Sequence, residues 1–190
     1  QFNRPKHNWQ YNLFILSRII EFCRTTRYPL FLLLTDIKKA FDSISREFLF
    51  RILTRRCPEK LASIIIFLHQ NAKLIFKKLE TIADSGVLQG DTLAAILFVW
   101  VMDEIMREWA NKKGKRGGIK IVFRKGETLK EFLPHEWQNM SNIQVLEELV
   151  HWLGFADDII FVGESLDDIL ESFTIFVLQC ALKLIFQNVV

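Results

Sequence analysis

Between residues 12 and 22, apolar side chains fall at Leu13, Phe14, Leu16, Ile19, Ile20 and Phe22. That spacing is nearer 3.6 than 2 and predicts a helix. Pro29 interrupts it, and the continuous apolar run over 30–35 has the length and composition of a buried strand that ends at Asp36. Ser45 is placed to cap a helix over 46–56, which stops before Pro58, and that proline suits the start of a second helix reaching Phe67 and Leu68. Residues 73–83 alternate weakly, as one or two strands would. Gly86 and Gly90 then bracket a turn, Asp91 or Thr92 can cap, and 93–109 is apolar nearly all round, which predicts a helix deep in its domain. A basic, glycine-containing loop over 112–118 leads to a strand at 119–123, while 125–142 predicts no element. From 145 to 162, apolar and β-branched residues flank Ala156, Asp157 and Asp158, and the simplest reading is a hairpin with the aspartates at its tip. Ser165 with Asp168 matches a capping box and opens a last helix to about Leu182. Strands and helices mix without regular alternation and no repeat is present, so the pattern favours an α+β fold over a doubly wound sheet.

Composition narrows the class. The 190 residues suffice for one domain, or a large piece of one, with a sizeable core. With 50% hydrophobic residues, 17 of the side chains Phe, and 25% charged, the balance excludes disorder and a coiled coil. Cys23, Cys57 and Cys180 lie too far apart for a metal-binding pair, so a reducing compartment is expected. The longest apolar run, 93–102, falls short of the roughly 20 residues that span a bilayer. No leader opens the chain, and an intracellular setting in cytoplasm or nucleus follows as an expectation. Gln1 lies in a polar stretch and Val190 directly follows an apolar one, so both ends read as cut.

The net charge is only +3, but Lys112, Lys113, Lys115 and Arg116 fall within five positions, and Arg51, Arg55 and Arg56 share another short segment. Such clusters are ordinarily solvated surface, and they are compatible with a polyanionic partner.

The informative charges are acidic. Asp157 and Asp158 stand side by side inside an apolar run, and Asp36 ends the other strongly apolar strand. An Asp-Asp pair often serves a turn. Like charges in an apolar setting, however, cost several kcal/mol unless a cation offsets them. Magnesium takes hard oxygen ligands of this kind. Two ions about 3.5–4 Å apart can activate an attacking hydroxyl and stabilise a leaving oxygen. Aspartates delivered by two apolar strands, with a glycine-bracketed turn between them in sequence, therefore point to a Mg²⁺-dependent reaction on phosphates.

Three stretches carry a more specific signal. TDIKKAFDSI, GVLQGDTLAAILF and FADDIIFV, in this order, resemble successive blocks of the reverse transcriptases, in particular those of LINE-type retrotransposons lacking long terminal repeats. FNRPKHNWQYNLFILSRIIEF is similar to the block that precedes them in that family. The likeness covers most of the chain and is weakest over 125–142. It implies a palm over about 31–190, with an antiparallel sheet packed on helices, preceded by a remnant of the fingers over about 1–30 and lacking the thumb. It also implies an RNA-directed DNA polymerase that uses Mg²⁺ or Mn²⁺, an RNA template, a DNA primer and deoxynucleoside triphosphates.

By that resemblance Asp36 and Asp157 hold metal, and Asp158 is the neighbouring carboxylate nearer the primer end. Phe41 lies under the incoming sugar, where it excludes a 2′-hydroxyl; outside the family it reads as an ordinary core aromatic. Gln89 and Gly90 touch the incoming nucleotide and template, the glycine admitting close approach of backbone. Arg51, Arg55, Lys112, Lys113, Lys115 and Arg116 are expected to hold backbone phosphates.

The match has departures. Phe155 stands where tyrosine is commoner, and Ala95 replaces a proline. Gln187 and Asn188 occupy the place of a lysine near the triphosphate, and Arg4 and Lys6 are the nearest candidates for the basic fingers residues. Two further readings compete: an inactive remnant that binds nucleic acid or a protein partner, and a metal-dependent nuclease sharing only the paired aspartates.

Overall fold

The structure, a computed structural model, describes residues 9–76, 79–82, 85–87, 92–124 and 145–184. In chain order the elements are α1 (Trp9–Thr26), β1 (Phe31–Thr35), α2 (Arg46–Arg56), α3 (Glu59–Gln70), β2 (Lys73–Phe76) and β3 (Leu79–Ile82), then α4 (Thr92–Lys113), β4 (Ile119–Arg124), β5 (Val145–Val150), β6 (Trp152–Phe155), β7 (Asp158–Gly163) and α5 (Leu166–Lys183). The fold is α+β, and every strand pair is antiparallel.

The chain divides into two compact units, Gln1–Asp36 with Lys113–Ile175, and Ile37–Lys112 with Phe176–Val190. In the first, β1, β7 and β6 form a three-stranded sheet in that order, and β4 pairs with β5. The helical period of α1 carries Ile15, Ile19 and Cys23 to one face, where they are buried together with Ile119, Ile121, Val150 and Val162. This cluster, which joins α1 to residues of β4, β5 and β7, is the core of the unit. Tyr11, Phe14 and Leu153 pack around it.

In the second unit α2 begins where the sequence pattern places it. Ser45 is the N-cap, its hydroxyl accepting from the Phe48 amide at 3.4 Å, and Phe48, Leu49, Ile52 and Leu53 are buried. Pro58 proves to be the cap of α3 and not its first helical residue. The buried residues of α4 include Leu97, Phe98, Val101, Met102, Ile105 and Trp109. Strands β2 and β3 pair with each other. Among the described residues no helix is long and apolar enough to cross a membrane.

Three expectations are corrected. The run from 145 to 162 is not one hairpin: β5 pairs with β4, and the chain breaks at His151 before β6 and β7 pair with each other. Strand β1 is apolar but not buried, because it is the edge of its sheet, and Leu34 is 71% exposed. Helix α4 is not buried all round, since Ile96 is 49% exposed, and it runs on to Lys113, taking Lys112 and Lys113 out of the expected loop. The three cysteines are free, and burial pushes the Cys180 thiol up to about 12, which keeps it protonated.

Candidate active site

The three aspartates lie at one end of one sheet. In β1 and β7 the final rung pairs Thr35 with Ile159, and Asp36 follows the first while Asp158 precedes the second. Asp158 is also the partner of Phe155 across the β6–β7 hairpin, whose two-residue loop is Ala156 and Asp157. Strand register therefore brings residues from opposite ends of the sequence to the same edge. Asp36 and Asp158 are exposed and Asp157 is half-buried, so the setting is more open than a buried turn. The arrangement also refines the expected hairpin tip: Asp157 lies in the loop, whereas Asp158 opens β7.

Local contacts hold this edge in place. The Thr35 hydroxyl donates to the Ile159 carbonyl at 3.0 Å, and the Asn12 amide donates to the Gly154 carbonyl at 2.8 Å, tying α1 to β6. Ala156 sits at φ 53°, a left-handed conformation that costs about 1 kcal/mol for a residue with a Cβ, so the loop is held tight by its surroundings.

None of the three aspartates makes a side-chain hydrogen bond or ion pair with another described residue. Among the described residues no three or more His, Cys, Asp and Glu side chains come together as a group that could hold a metal ion, so the three aspartates share this sheet end by strand register without their carboxylates forming such a group. What is present is exposed or half-buried carboxylates without an ion-pair partner among the described residues, the hard oxygen chemistry that a divalent ion takes when water and phosphate supply its other ligands.

Phe41 belongs to the second unit. It is half-buried, and its ring stacks on that of Phe98 in α4, centroids 4.8 Å apart and 28° between planes. Gln89 and Gly90 lie outside the described residues, as do Arg4, Lys6, Gln187 and Asn188.

The expected phosphate-binding residues fare unequally. Arg51 and Arg55 project from α2 with side chains 63% and 60% exposed. Arg51 lies 5.6 Å over the Phe48 ring, and Arg55 is 3.2 Å from Glu104. Together with Thr54, Glu108 and Lys183 they border an open groove of about 590 Å³. Lys112, Lys115 and Arg116 are exposed, Arg116 pairing with Glu171 at 2.9 Å.

Lys113 is a correction. Its side chain is fully enclosed, and its ammonium donates to Asp168 at 2.6 Å and to Glu171 at 2.7 Å. It cannot reach a phosphate. Burial without partners would be prohibitive for an ammonium, and the two carboxylates are what permit it.

Asp168 is correspondingly more than a cap residue. The Ser165 hydroxyl accepts from the Asp168 amide at 3.2 Å, but the Asp168 carboxylate accepts from Lys113 and, at 2.7 Å, from the Gly118 amide. Half of the expected capping box is thus replaced by a buried ion network. It was hidden in the sequence because its members lie 50 and 55 residues apart.

This network makes stability depend on pH. Burial raises the Asp168 pKa, yet the Lys113 and Gly118 hydrogen bonds and the nearby positive charge outweigh it and leave the carboxyl below its ordinary 3.8. The Lys113 hydrogen bond comes first among the effects that hold Glu171 below 4.5. Burial comes first for His151, whose pKa falls below 6.5 although its ring contact with the Arg116 carbonyl works the other way. In all three cases the unfolded chain binds protons that the folded chain refuses, so stability rises with pH. Thermal melts are expected to show stability declining gently as the pH falls below 6.5 and steeply below about 4.5, the carboxylate contribution vanishing as the pH passes through their lowered pKa values. Melting temperatures flat between pH 7 and 3 would contradict the network.

Comparison with known proteins bears on the whole chain. A family model described as reverse transcriptase (RNA-dependent DNA polymerase) matches residues 3–189. Over 109 residues the chain is 30% identical to the retrovirus-related Pol polyprotein from type-1 retrotransposable element R2 of Nasonia vitripennis. That stretch is 54% of this chain and 11% of the polyprotein, so the chain spans a small part of this relative's length. Among solved structures, apo telomerase from Candida Tropicalis truncated from its C-terminal domain aligns over 93% of this chain and 32% of its own, with 13% identity and a TM-score of 0.42. Because the family match runs almost from end to end and takes in both aspartate-bearing segments, the chain belongs to the reverse transcriptase (RNA-dependent DNA polymerase) family.

Proposed function

We propose that the chain is the polymerising part of a LINE-type retrotransposon reverse transcriptase, with residues 31–190 forming the palm and the first 30 a part of the fingers. It extends a DNA primer on an RNA template from deoxynucleoside triphosphates by a two-metal mechanism. The observation that carries this reading is that strand register places Asp36, Asp157 and Asp158 at one end of one sheet, none of them in an ion pair with another described residue.

In the reaction the primer 3′-oxygen forms a bond to the α-phosphorus, the bond to the bridging oxygen breaks, pyrophosphate leaves, and the hydroxyl proton passes to solvent. Asp36 and Asp157 would hold Mg²⁺ or Mn²⁺, and Asp158 would stand nearer the primer end. The chemistry the ions supply when bound is neutralisation of phosphate charge and a lowered pKa for the attacking hydroxyl. Phe41 excludes the ribose 2′-hydroxyl, while Gln89 and Gly90 border the incoming nucleotide and template. Arg51, Arg55, Lys112, Lys115 and Arg116 hold nucleic-acid phosphates, so binding weakens as salt rises.

Primer extension on an RNA template with Mg²⁺ or Mn²⁺ tests the reading. Extension that requires a base-paired primer supports it. A shortened primer would point to a nuclease, and a folded chain that binds nucleic acid without extending the primer would point to an inactive remnant.

Replacing Phe41 by Ala is expected to leave deoxynucleotide addition measurable while lowering discrimination against ribonucleotides by about one to two orders of magnitude, the range that steric fit in a pocket supplies. The ratio of kcat/KM values for the two substrates measures this. An unchanged ratio would return Phe41 to the role of a packing residue.

A further inference from the structure

Arg46, the first residue of α2, is buried. Its Nε donates to the Gly86 carbonyl at 3.2 Å and its Nη1 to the His69 carbonyl at 2.6 Å. A guanidinium presents these donors in a fixed planar fork, so the two bonds set the positions of two backbone segments at once. One is the last turn of α3. The other is the short segment Ser85, Gly86 and Val87, which immediately precedes Leu88 and Gln89 in sequence.

That segment lies directly against the chain that follows the first aspartate. The Gly86 amide donates to the Ile44 carbonyl at 2.9 Å, and the Val87 amide donates to the Phe41 carbonyl at 3.0 Å. Gly86 has φ +70°, and a Cβ there would come within 2.7 Å of both the Asp42 Cα and the Phe41 carbonyl oxygen. Only glycine permits this approach. The backbone of Phe41 is therefore held by a turn that Arg46 in turn holds. The Phe41 ring, stacked on Phe98, has its height fixed at both ends: by Phe98 at the ring and by the Val87 amide at the carbonyl.

We infer that Arg46 is a positioning residue for sugar selection, acting through the Gly86 turn on Phe41. The inference rests on the polymerase reading above. Arg46 touches neither nucleotide nor metal in this scheme; it determines where the Phe41 ring stands, and small displacements of a positioned group change rates by orders of magnitude.

The test compares the parent chain with Arg46→Lys, Phe41→Ala and the double variant, together with Gly86→Ala as a second route to the same turn. A lysine retains charge and can reach one carbonyl, but it cannot bridge two in a fixed plane. Arg46→Lys is expected to lower discrimination between deoxy- and ribonucleotides by about tenfold or more. Adding Arg46→Lys to Phe41→Ala is expected to lower it no further, because both act through one ring. Discrimination unchanged in Arg46→Lys, or effects that multiply in the double variant, would overturn the inference.

Amide hydrogen exchange supplies a reading independent of activity. Protection of the Gly86 and Val87 amides is expected to fall by about tenfold or more in Arg46→Lys, relative to the Leu49 helix amide. A parent chain that extends no primer overturns the polymerase reading, and the exchange result then decides the clamp by itself: equal protection of those amides in parent and variant would refute it.

Discussion

Replacing Asp157 by Asn is expected to reduce primer extension by about a thousandfold or more while leaving the fold intact. The size follows from the proposed role: preorganised neutralisation of charge on phosphate contributes about two to three orders of magnitude, and a carboxylate that retains the ion supplying it would carry at least that much. Preservation of the fold follows from the position. The side chain is half-buried in a two-residue loop and makes no hydrogen bond or ion pair with another described residue, and Asn is nearly isosteric. Removing one of several like charges at a sheet end even relieves repulsion. Single-turnover extension beside a thermal melt separates the two effects. A variant that melts like the parent but extends within tenfold of it would exclude Asp157 as an essential ligand. Asp36→Asn is expected to match it.

The second large effect is on stability. Lys113→Met is expected to destabilise the chain by about 3–5 kcal/mol, because it leaves the buried Asp168 carboxylate without its ammonium and with a neutral donor, the Gly118 amide, in its place. Against a total stability of about 5–15 kcal/mol, that loss threatens folding at ambient temperature. Each kcal/mol lowers Tm by about 2–4 °C for a chain of this size, so a shift of about 10 °C is expected in a thermal melt. Arg116→Met provides the contrast. Its partner is the same Glu171, but the arginine is 68% exposed, and such pairs contribute about 1 kcal/mol or less. The difference between the variants should narrow as the pH falls below 3.8 and Asp168 takes up a proton, which removes the charge that Lys113 offsets. Equal melting temperatures for Lys113→Met and the parent at pH 7 would show that the ion network contributes no stability.

What could be read in the sequence was what local chemistry decides. Helix α2 begins and ends at 46 and 56 as expected, because a serine cap and a following proline act within a few residues. The three acidic positions were conspicuous because they interrupt apolar runs. Hidden from that reading was whatever depends on partners distant in sequence. Lys113 looks like one more lysine in a basic loop, and nothing nearby announces the carboxylates that enclose it. The run before the aspartates looks like one arm of a hairpin, yet Val145–Val150 takes β4 as its partner, a choice of register that apolar patterning does not encode. Strand β1 has the composition of a buried strand and lies at an edge, since burial is decided by how many neighbours a strand acquires. Arg46 carries no local signal for its contacts, because its two carbonyl partners lie 23 and 40 residues away.

The rung that joins Thr35 to Ile159 closes a separation of 124 residues. Contacts of that span form late, since loop entropy opposes them until the intervening chain has begun to organise. During synthesis, the first aspartate leaves the ribosome long before the strand that will stand beside it. For most of that time the emerging chain has one of the three aspartates and not the other two. The edge can be assembled only after synthesis has passed Ile159, and a copy interrupted between the two acidic segments yields a polypeptide that never assembles it.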